Sequence, residues 1–94
     1  NKRIAKKGKK LLNNFKSELK NTNGIVDIRG KGYMIGIQLD RPCGELVQKA
    51  LQQGLLINVT RGDTIRLLPP FVMSKEQTET LVNKVTQLVK DFLK

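Results

Sequence analysis

Histidine and tryptophan are absent from this sequence, and Cys43 is its single cysteine. Without histidine the chain lacks the commonest general base and the commonest metal ligand, which excludes a catalytic triad and a histidine-based zinc site within it. One cysteine excludes an internal disulfide and a multi-thiolate metal site. We therefore expect an intracellular, cytoplasmic protein that binds no metal and does not catalyse a reaction alone.

Long apolar runs are also missing, since stretches such as 55–57 and 67–73 are far shorter than the roughly 20 residues of a membrane helix. The apolar fraction of 38% nevertheless predicts one folded domain with a modest core. The first residues, 1–4, contain neither an initiator methionine nor the apolar segment of a signal peptide. We expect the chain to be cut from something longer.

Negative charge is scarce, and the formal net charge is +10. A basic block of this kind is typical of a nucleic-acid or membrane surface patch, or of the solvated face of a terminal helix. We favour the solvated face. The block comprises six cations: Lys2, Arg3, Lys6, Lys7, Lys9 and Lys10.

Helical spacing of apolar residues predicts three helices. The first covers Ile4 to about Lys20, with Gly8 weakening its middle. The second opens at Asp40-Arg41-Pro42, because proline suits a first turn, and ends at Gly54. The third starts at a capping box, Ser74 to Gln77, and runs to the end of the chain. The inward residues predicted for the first helix are Ile4, Leu11, Leu12, Phe15 and Leu19, and for the second Leu46, Val47, Ala50 and Leu51.

Shorter β-type runs lie between these helices. Ile25 to Arg29 and Tyr33 to Leu39 predict a hairpin whose intervening glycines, Gly30 and Gly32, permit positive φ. Further strands are predicted at Leu55–Val59 and Thr64–Leu68, joined by a polar turn and stopped by Pro69-Pro70. The order helix, two strands, helix, two strands, helix predicts a two-layer α+β domain with a small, largely antiparallel sheet and helices on one face.

Three short segments match known binding motifs only in part or by chance, and we assign no function to them. Lys31-Gly32-Tyr33-Met34-Ile35 partly matches an RNA-binding signature, but isoleucine replaces the second stacking aromatic and aromatics form only 4% of the chain. Arg61-Gly62-Asp63 spells a cell-adhesion tripeptide that a turn between strands explains better. Gly30-x-Gly32 lacks the third glycine of a dinucleotide fingerprint and precedes a strand, so no phosphate is expected there.

Arg66 is the candidate binding residue. It lies on a predicted strand between Ile65 and the segment Leu67-Leu68-Pro69-Pro70, which is apolar and rigid. An arginine held in this way can present its planar fork bidentately to a carboxylate. On spacing alone, an exposed strand arginine or a structural salt bridge remains the preferred alternative.

Three segments, taken in this order and spacing, make the sequence recognisable: 29–39 (RGKGYMIGIQL), 55–60 (LLINVT) and 65–72 (IRLLPPFV). Together they resemble the carboxyl-terminal small domain of class III pyridoxal-phosphate aminotransferases. The stretch 40–47 (DRPCGELV) strengthens the likeness. The resemblance covers about Ile4 to Leu93.

The resemblance implies a function for the longer enzyme. It implies transfer of an amino group between N-acetylornithine and 2-oxoglutarate in arginine biosynthesis, with ornithine, succinylornithine or 4-aminobutyrate as alternative amino compounds. It assigns Arg66 to the substrate carboxylate and makes the enzyme a homodimer. A basic nucleic-acid-binding α+β module is the alternative from another class, and we expect no nucleic acid and no membrane as partners.

The resemblance also implies what this chain lacks. Pyridoxal 5'-phosphate chemistry requires a Schiff-base lysine and an acidic partner for the ring nitrogen. In this family both belong to a large domain upstream of Asn1, and none of the 13 lysines lies in the Schiff-base motif. We therefore expect residues 1–94 to be the small domain only, to hold no cofactor and to be inactive alone.

Overall fold

The computed structural model describes residues 2–69 and 72–94. Asn1, Pro70 and Phe71 lie outside the described residues. The part of the predicted strand stop that falls on Pro70 therefore lies outside them as well. The elements follow the predicted order. Their bounds are α1 Lys2–Glu18, β1 Ile25–Lys31, β2 Met34–Leu39, α2 Leu46–Gln52, β3 Asn58–Thr60, β4 Thr64–Leu67 and α3 Lys75–Leu93.

The four strands form one antiparallel sheet in the order β1-β2-β4-β3. The hairpin β1-β2 is the predicted one, and β4 pairs with the other edge of β2, bringing Arg66 opposite Gly36. Helix α1 contacts β1 and β2, α2 contacts β3, and α3 packs on α1 and α2. The predicted two-layer α+β fold is confirmed.

The core lies between the sheet and the helices. From β2 it receives Ile35, Ile37 and Leu39, which alternate along the strand as a half-buried sheet requires. The helices contribute the facing apolar stripes, including Phe15 and Val89, both fully buried. Burying such side chains stabilises the fold by about 1.5–3 kcal/mol each before entropy is counted.

Helix α1 approaches the hairpin turn at Gly8. A β-carbon built there would overlap the backbone carbonyl oxygen of Gly32, so only glycine permits this contact. Gly32 itself has φ +59°, as predicted for a tight turn. Leu11, Phe15 and Leu19 are buried as predicted, while the side chain of Ile4 lies outside the described part of the structure.

The predicted start of α2 is wrong. The helix begins at Leu46, so Pro42 lies in the preceding loop rather than in the first turn. That loop is held from elsewhere: the Asp40 N–H donates to the Gly24 carbonyl and the Cys43 N–H to the Gly62 carbonyl. Leu51 was predicted to face inward but is 53% exposed, because the short helix turns only Leu46 and Ala50 fully into the core.

Two strand details also differ from the predictions. Strand β3 begins at Asn58 rather than Leu55, because the Leu55 N–H donates back to the Ala50 carbonyl at the end of α2. Gly30 does not take positive φ; it lies within β1, where a β-carbon would press on the Leu12 side chain at 3.2 Å.

Helix α3 starts where its capping box predicts. The Gln77 N–H donates to the Ser74 hydroxyl at 3.0 Å, and the Ser74 N–H donates to the Gln77 side chain at 2.9 Å. Two of the orphan donors at the helix start are thereby satisfied. Within residues 2–69 and 72–94, none of the helices is both long enough and apolar enough to span a membrane.

Candidate functional site

The candidate site lies on the face of the sheet opposite the helices, which we call the open face. The strand register places on it the residues that alternate with the core positions. These residues are polar, small or flexible rather than bulky and apolar. They are Asp27, Arg29, Lys31, Met34, Gly36, Gln38, Asn58, Thr60, Thr64 and Arg66.

Arg66 is the residue that the sequence singled out, and the sheet holds its backbone on both sides. It pairs with Gly36 of β2 and with Asn58 of β3. Its chain neighbours Ile65 and Leu67 are buried in the core, 0% and 2% exposed. Ile65 and Leu67 thus fix the strand around Arg66, whereas Leu68 is 78% exposed and Pro70 lies outside the described residues. Alternation leaves the Arg66 guanidinium exposed on the open face.

The Arg66 guanidinium has no carboxylate partner among the described residues. Among the described residues, Arg29, Arg41, Lys49 and Lys94 form side-chain ion pairs, whereas Arg66 contacts the Met34 sulfur through Nη2 at 2.9 Å. A thioether is a weak acceptor. The salt-bridge alternative is therefore not supported, and the fork retains donors for an external anion.

Arg29 faces Arg66 across the central strand and is tied down. Its Nη1 donates to the Asp27 carboxylate at 3.0 Å and to the side-chain amide oxygen Oε1 of Gln38 at 3.1 Å. Asp63 continues the network, accepting from Gln38 at 3.5 Å and from the Thr64 hydroxyl at 2.8 Å. One arginine of the open face is thus fixed by its neighbours, and the other is left for a ligand.

A depression of about 710 Å³ lies between these side chains. Gly36 forms part of its floor, with Arg29 and Arg66 on either side. The described residues of its lining include four cations, Arg29, Lys31, Arg61 and Arg66, and no carboxylate; Asp27, outside the lining, pairs with Arg29. Such a surface attracts anions, and the guanidinium fork selects planar ones such as carboxylates.

The remaining sequence motifs contribute the cations Lys31 and Arg61 to this depression but do not form the sites that those motifs would need. No aromatic residue occupies the open-face positions of the described sheet, so it offers no base-stacking platform. Arg61-Gly62-Asp63 forms the turn between β3 and β4, with Arg61 and Gly62 at positive φ. The lysines at 6, 7, 9 and 10 are exposed along α1, in the layer on the other side of the sheet.

Cys43 is also unsuited to chemistry. It is fully buried in the core, and burial, followed by the nearby charge of Asp63, raises the pKa of its thiol. A protonated, inaccessible thiol is a poor nucleophile and a poor metal ligand. Across residues 2–69 and 72–94, no three of the cysteine and acidic side chains come together as a metal site would need.

Sequence reasoning missed two features of the site. The Arg29–Gln38–Asp63 network joins residues far apart in the chain, and Gly36 gains its position only from pairing with two strands. The alternation of β2 was the available signal for Gly36, since it separates that residue from the core positions Ile35 and Ile37.

Comparison with known proteins relates this geometry to one family. Residues 1–89 match the profile of "Aminotransferase class-III". The chain is 51% identical over 77 residues to an acetylornithine aminotransferase 1 of Bordetella bronchiseptica, covering 82% of this chain and 20% of that protein. It is 38% identical over 90 residues to an acetylornithine aminotransferase of Methanothermobacter thermautotrophicus, covering 96% and 23%.

Solved structures share the fold. An ornithine delta-aminotransferase of Plasmodium falciparum superposes with a TM-score of 0.85 at 28% identity, covering 96% of this chain and 24% of that one. An acetylornithine aminotransferase of Elizabethkingia anophelis gives 0.83 at 26% identity, covering 95% and 24%. The chain thus spans about a fifth to a quarter of the length of the relatives it matches.

Proposed function

The chain belongs to the class-III aminotransferase family, and from that premise we propose that residues 1–94 are the carboxyl-terminal small domain of such an enzyme. The short span relative to the matched relatives supports this assignment. So does the open face, whose polar residues and uncommitted arginine suit a surface completed by further protein. The large domain would be supplied by sequence outside these residues.

The proposed reaction is transfer of an amino group between N-acetylornithine and 2-oxoglutarate, a step of arginine biosynthesis. The names of the relatives that are 38–51% identical support this choice. Ornithine is the second candidate amino compound, because the ornithine delta-aminotransferase from Plasmodium falciparum shares the fold at a TM-score of 0.85. Succinylornithine and 4-aminobutyrate are further alternatives within the same chemistry.

Arg66 is proposed to bind the substrate's carboxylate. The observation that carries this role is its placement: a guanidinium on the open face, fixed through Ile65 and Leu67 and without a carboxylate partner among the described residues. A bidentate contact would hold the substrate in one orientation. Correct orientation of the reacting groups can contribute several kcal/mol to lowering a barrier.

Pyridoxal phosphate, the cofactor that this family implies, does not fit the residues present here. A Schiff-base lysine needs a sheltered position, whereas the described lysine side chains are exposed except for Lys90, which is half-buried on α3. In an aminotransferase the cofactor supplies the electron sink for amino transfer. We propose that it is held by the rest of the enzyme and that this chain alone does not transaminate.

The proposal also covers the partners, the oligomeric state and the localisation of the enzyme. Its partners would be amino-acid and 2-oxo-acid substrates and a second copy of the enzyme in a cytoplasmic homodimer. No nucleic-acid role is proposed, since the open face carries no aromatic residue at its described positions.

Replacing Arg66 by lysine in the enzyme that contains this chain tests the proposal. Lysine keeps the charge but loses the planar fork, so the KM for the carboxylate substrate should rise about tenfold or more while cofactor absorbance is unchanged.

Arg41→Lys is the matched control, because Arg41 undergoes the same chemical change while lying outside the depression, paired with Asp40 at 2.6 Å. The control should keep the parent KM. An unchanged KM in Arg66→Lys would remove Arg66 from the site.

A further inference from the structure

Gly36 stands in the middle of β2, where the fold itself does not require glycine. Its φ is not positive, so its backbone conformation is open to any residue. A β-carbon built there would meet Arg29 Cγ at 3.6 Å and no atom closer, which is ordinary van der Waals contact. Glycine in a strand interior also weakens the strand, through backbone entropy and the missing side chain.

Two other glycines of this region, Gly8 and Gly32, are required by the fold itself, unlike Gly36. Gly8 is required by its contact with the Gly32 carbonyl, and Gly32 by its positive φ. Those two reasons are absent at Gly36, and its contact with the Arg29 side chain leaves room for a β-carbon. Because Gly36 also lines the depression between Arg29 and Arg66, we take close approach of a ligand as the reason for glycine here.

The location of Gly36 identifies what would approach. It is the cross-strand partner of Arg29 on one side and of Arg66 on the other. Neighbouring strands lie about 5 Å apart, so the two arginine backbones are separated by about 10 Å. Gly36 lies between them, with the Arg29 side chain in contact distance of its built β-carbon. A side chain at position 36 would project from the open face into this gap, beside the guanidinium proposed to take the carboxylate.

We propose that Gly36 is a positioning residue of the substrate site, because it keeps the depression between Arg29 and Arg66 open for the carboxylate end of the substrate. The inference rests on the proposed function of Arg66. Arg29, tied to Asp27 and Gln38, forms the fixed wall of this space, and Arg66 supplies the donors. Larger residues at position 36 narrow the space without disturbing the core on the other face of β2.

The test is a size series, Gly36→Ala and Gly36→Val, in the enzyme that contains this chain. KM for N-acetylornithine and 2-oxoglutarate, kcat, cofactor absorbance and the thermal midpoint are measured for each. KM should rise with side-chain size, about tenfold or more for valine, which adds three carbons, because one extra methylene in a pocket already changes discrimination by about tenfold or more. Cofactor absorbance should be unchanged in both variants. The thermal midpoint should be unchanged or higher, because alanine and valine favour a strand more than glycine does.

Gly44→Val is the matched control, because Gly44 is exposed, has no positive φ and has open space around a built β-carbon. It should keep the parent KM. If Gly36→Val fails to fold, Gly36→Ala decides, since its added carbon makes only ordinary contacts.

The outcomes separate the two proposals. A folded Gly36→Val enzyme with unchanged KM, beside an Arg66→Lys enzyme with raised KM, overturns the role of Gly36 and leaves that of Arg66. Unchanged KM in both variants overturns the carboxylate site itself. If KM rises equally in Gly36→Val and in the Gly44→Val control, the rise reflects general destabilisation of the domain. That result would also overturn the inference.

Discussion

The two faces of strand β2 differ in what fixes their residues. On the helix side, Ile35, Ile37 and Leu39 are at most 1% exposed and are held by packing. On the open face, Gly36 lies between Arg29, which hydrogen bonds hold in place, and Arg66, whose guanidinium contacts the Met34 sulfur but no carboxylate of the described residues. Neighbouring residues of one strand can thus serve separate purposes, the first set stabilising the domain and the second recognising a ligand.

Two glycines express the same difference. Gly8, on the helix side, is needed because the α1 backbone touches the hairpin turn, so a methyl group there collides with a carbonyl oxygen. Gly36, on the open face, has room for a methyl group within this chain. Changes on the helix side should therefore reduce the free energy of unfolding, and changes on the open face should reduce substrate affinity.

The largest expected effect on stability is that of Gly8→Ala. Alanine gains about 1 kcal/mol of helix propensity, but a collision with rigid backbone costs more. We expect a net loss of about 2 kcal/mol in the free energy of unfolding, measured by denaturant titration.

Gly44→Ala provides the control for Gly8→Ala, since its β-carbon meets no atom within 4 Å. That control should be neutral or slightly stabilising. If Gly8→Ala proved as stable as Gly44→Ala, the close approach of α1 to the hairpin would be wrong.

The Cys43 thiol, buried in the core on the helix side, should have a smaller effect on the free energy of unfolding, and this effect should depend on pH. Burial raises its pKa, so the folded chain keeps the proton at pH values where an unfolded thiol, with a pKa near 8.5, has lost it. The unfolded state then binds fewer protons, and stability falls as pH rises above about 8.5, by up to about 1.4 kcal/mol per pH unit.

Cys43→Ala isolates this term, because the variant lacks the titrating group. Its unfolding free energy, measured from pH 7 to 10, should fall less steeply than that of the parent. Parallel pH profiles for the two proteins would show that the thiol is not shielded in the folded state.

Local patterns in the sequence predicted the parts of the fold that are fixed locally. The apolar spacing of α1 and α3, the Ser74–Gln77 box and the β-type runs of the hairpin each depend on residues a few positions apart. The start of α2 was misplaced because Pro42 favours a helix locally, whereas the loop is set by a hydrogen bond from Cys43 to distant Gly62.

The candidate site divides in the same way. The apolar residues that flank Arg66 are visible in the sequence. The resemblance to a family added the expectation that Arg66 binds the substrate's carboxylate. That Arg66 lacks a carboxylate partner among the described residues, and that Gly36 separates it from Arg29, depends on the pairing of β2 with β1 and β4. Such non-local pairings have no signal within a single strand.

The most direct test of the central claim is a coupling energy between Arg66 and the substrate's carboxylate. Dissociation constants are measured for an unreactive substrate analogue and for its carboxamide counterpart, in the parent enzyme and in Arg66→Gln. If the guanidinium binds the carboxylate, the two changes should couple by about 2 kcal/mol, as a charged hydrogen bond does. Effects that add to within about 0.5 kcal/mol would contradict the claim, because independent sites behave in that way.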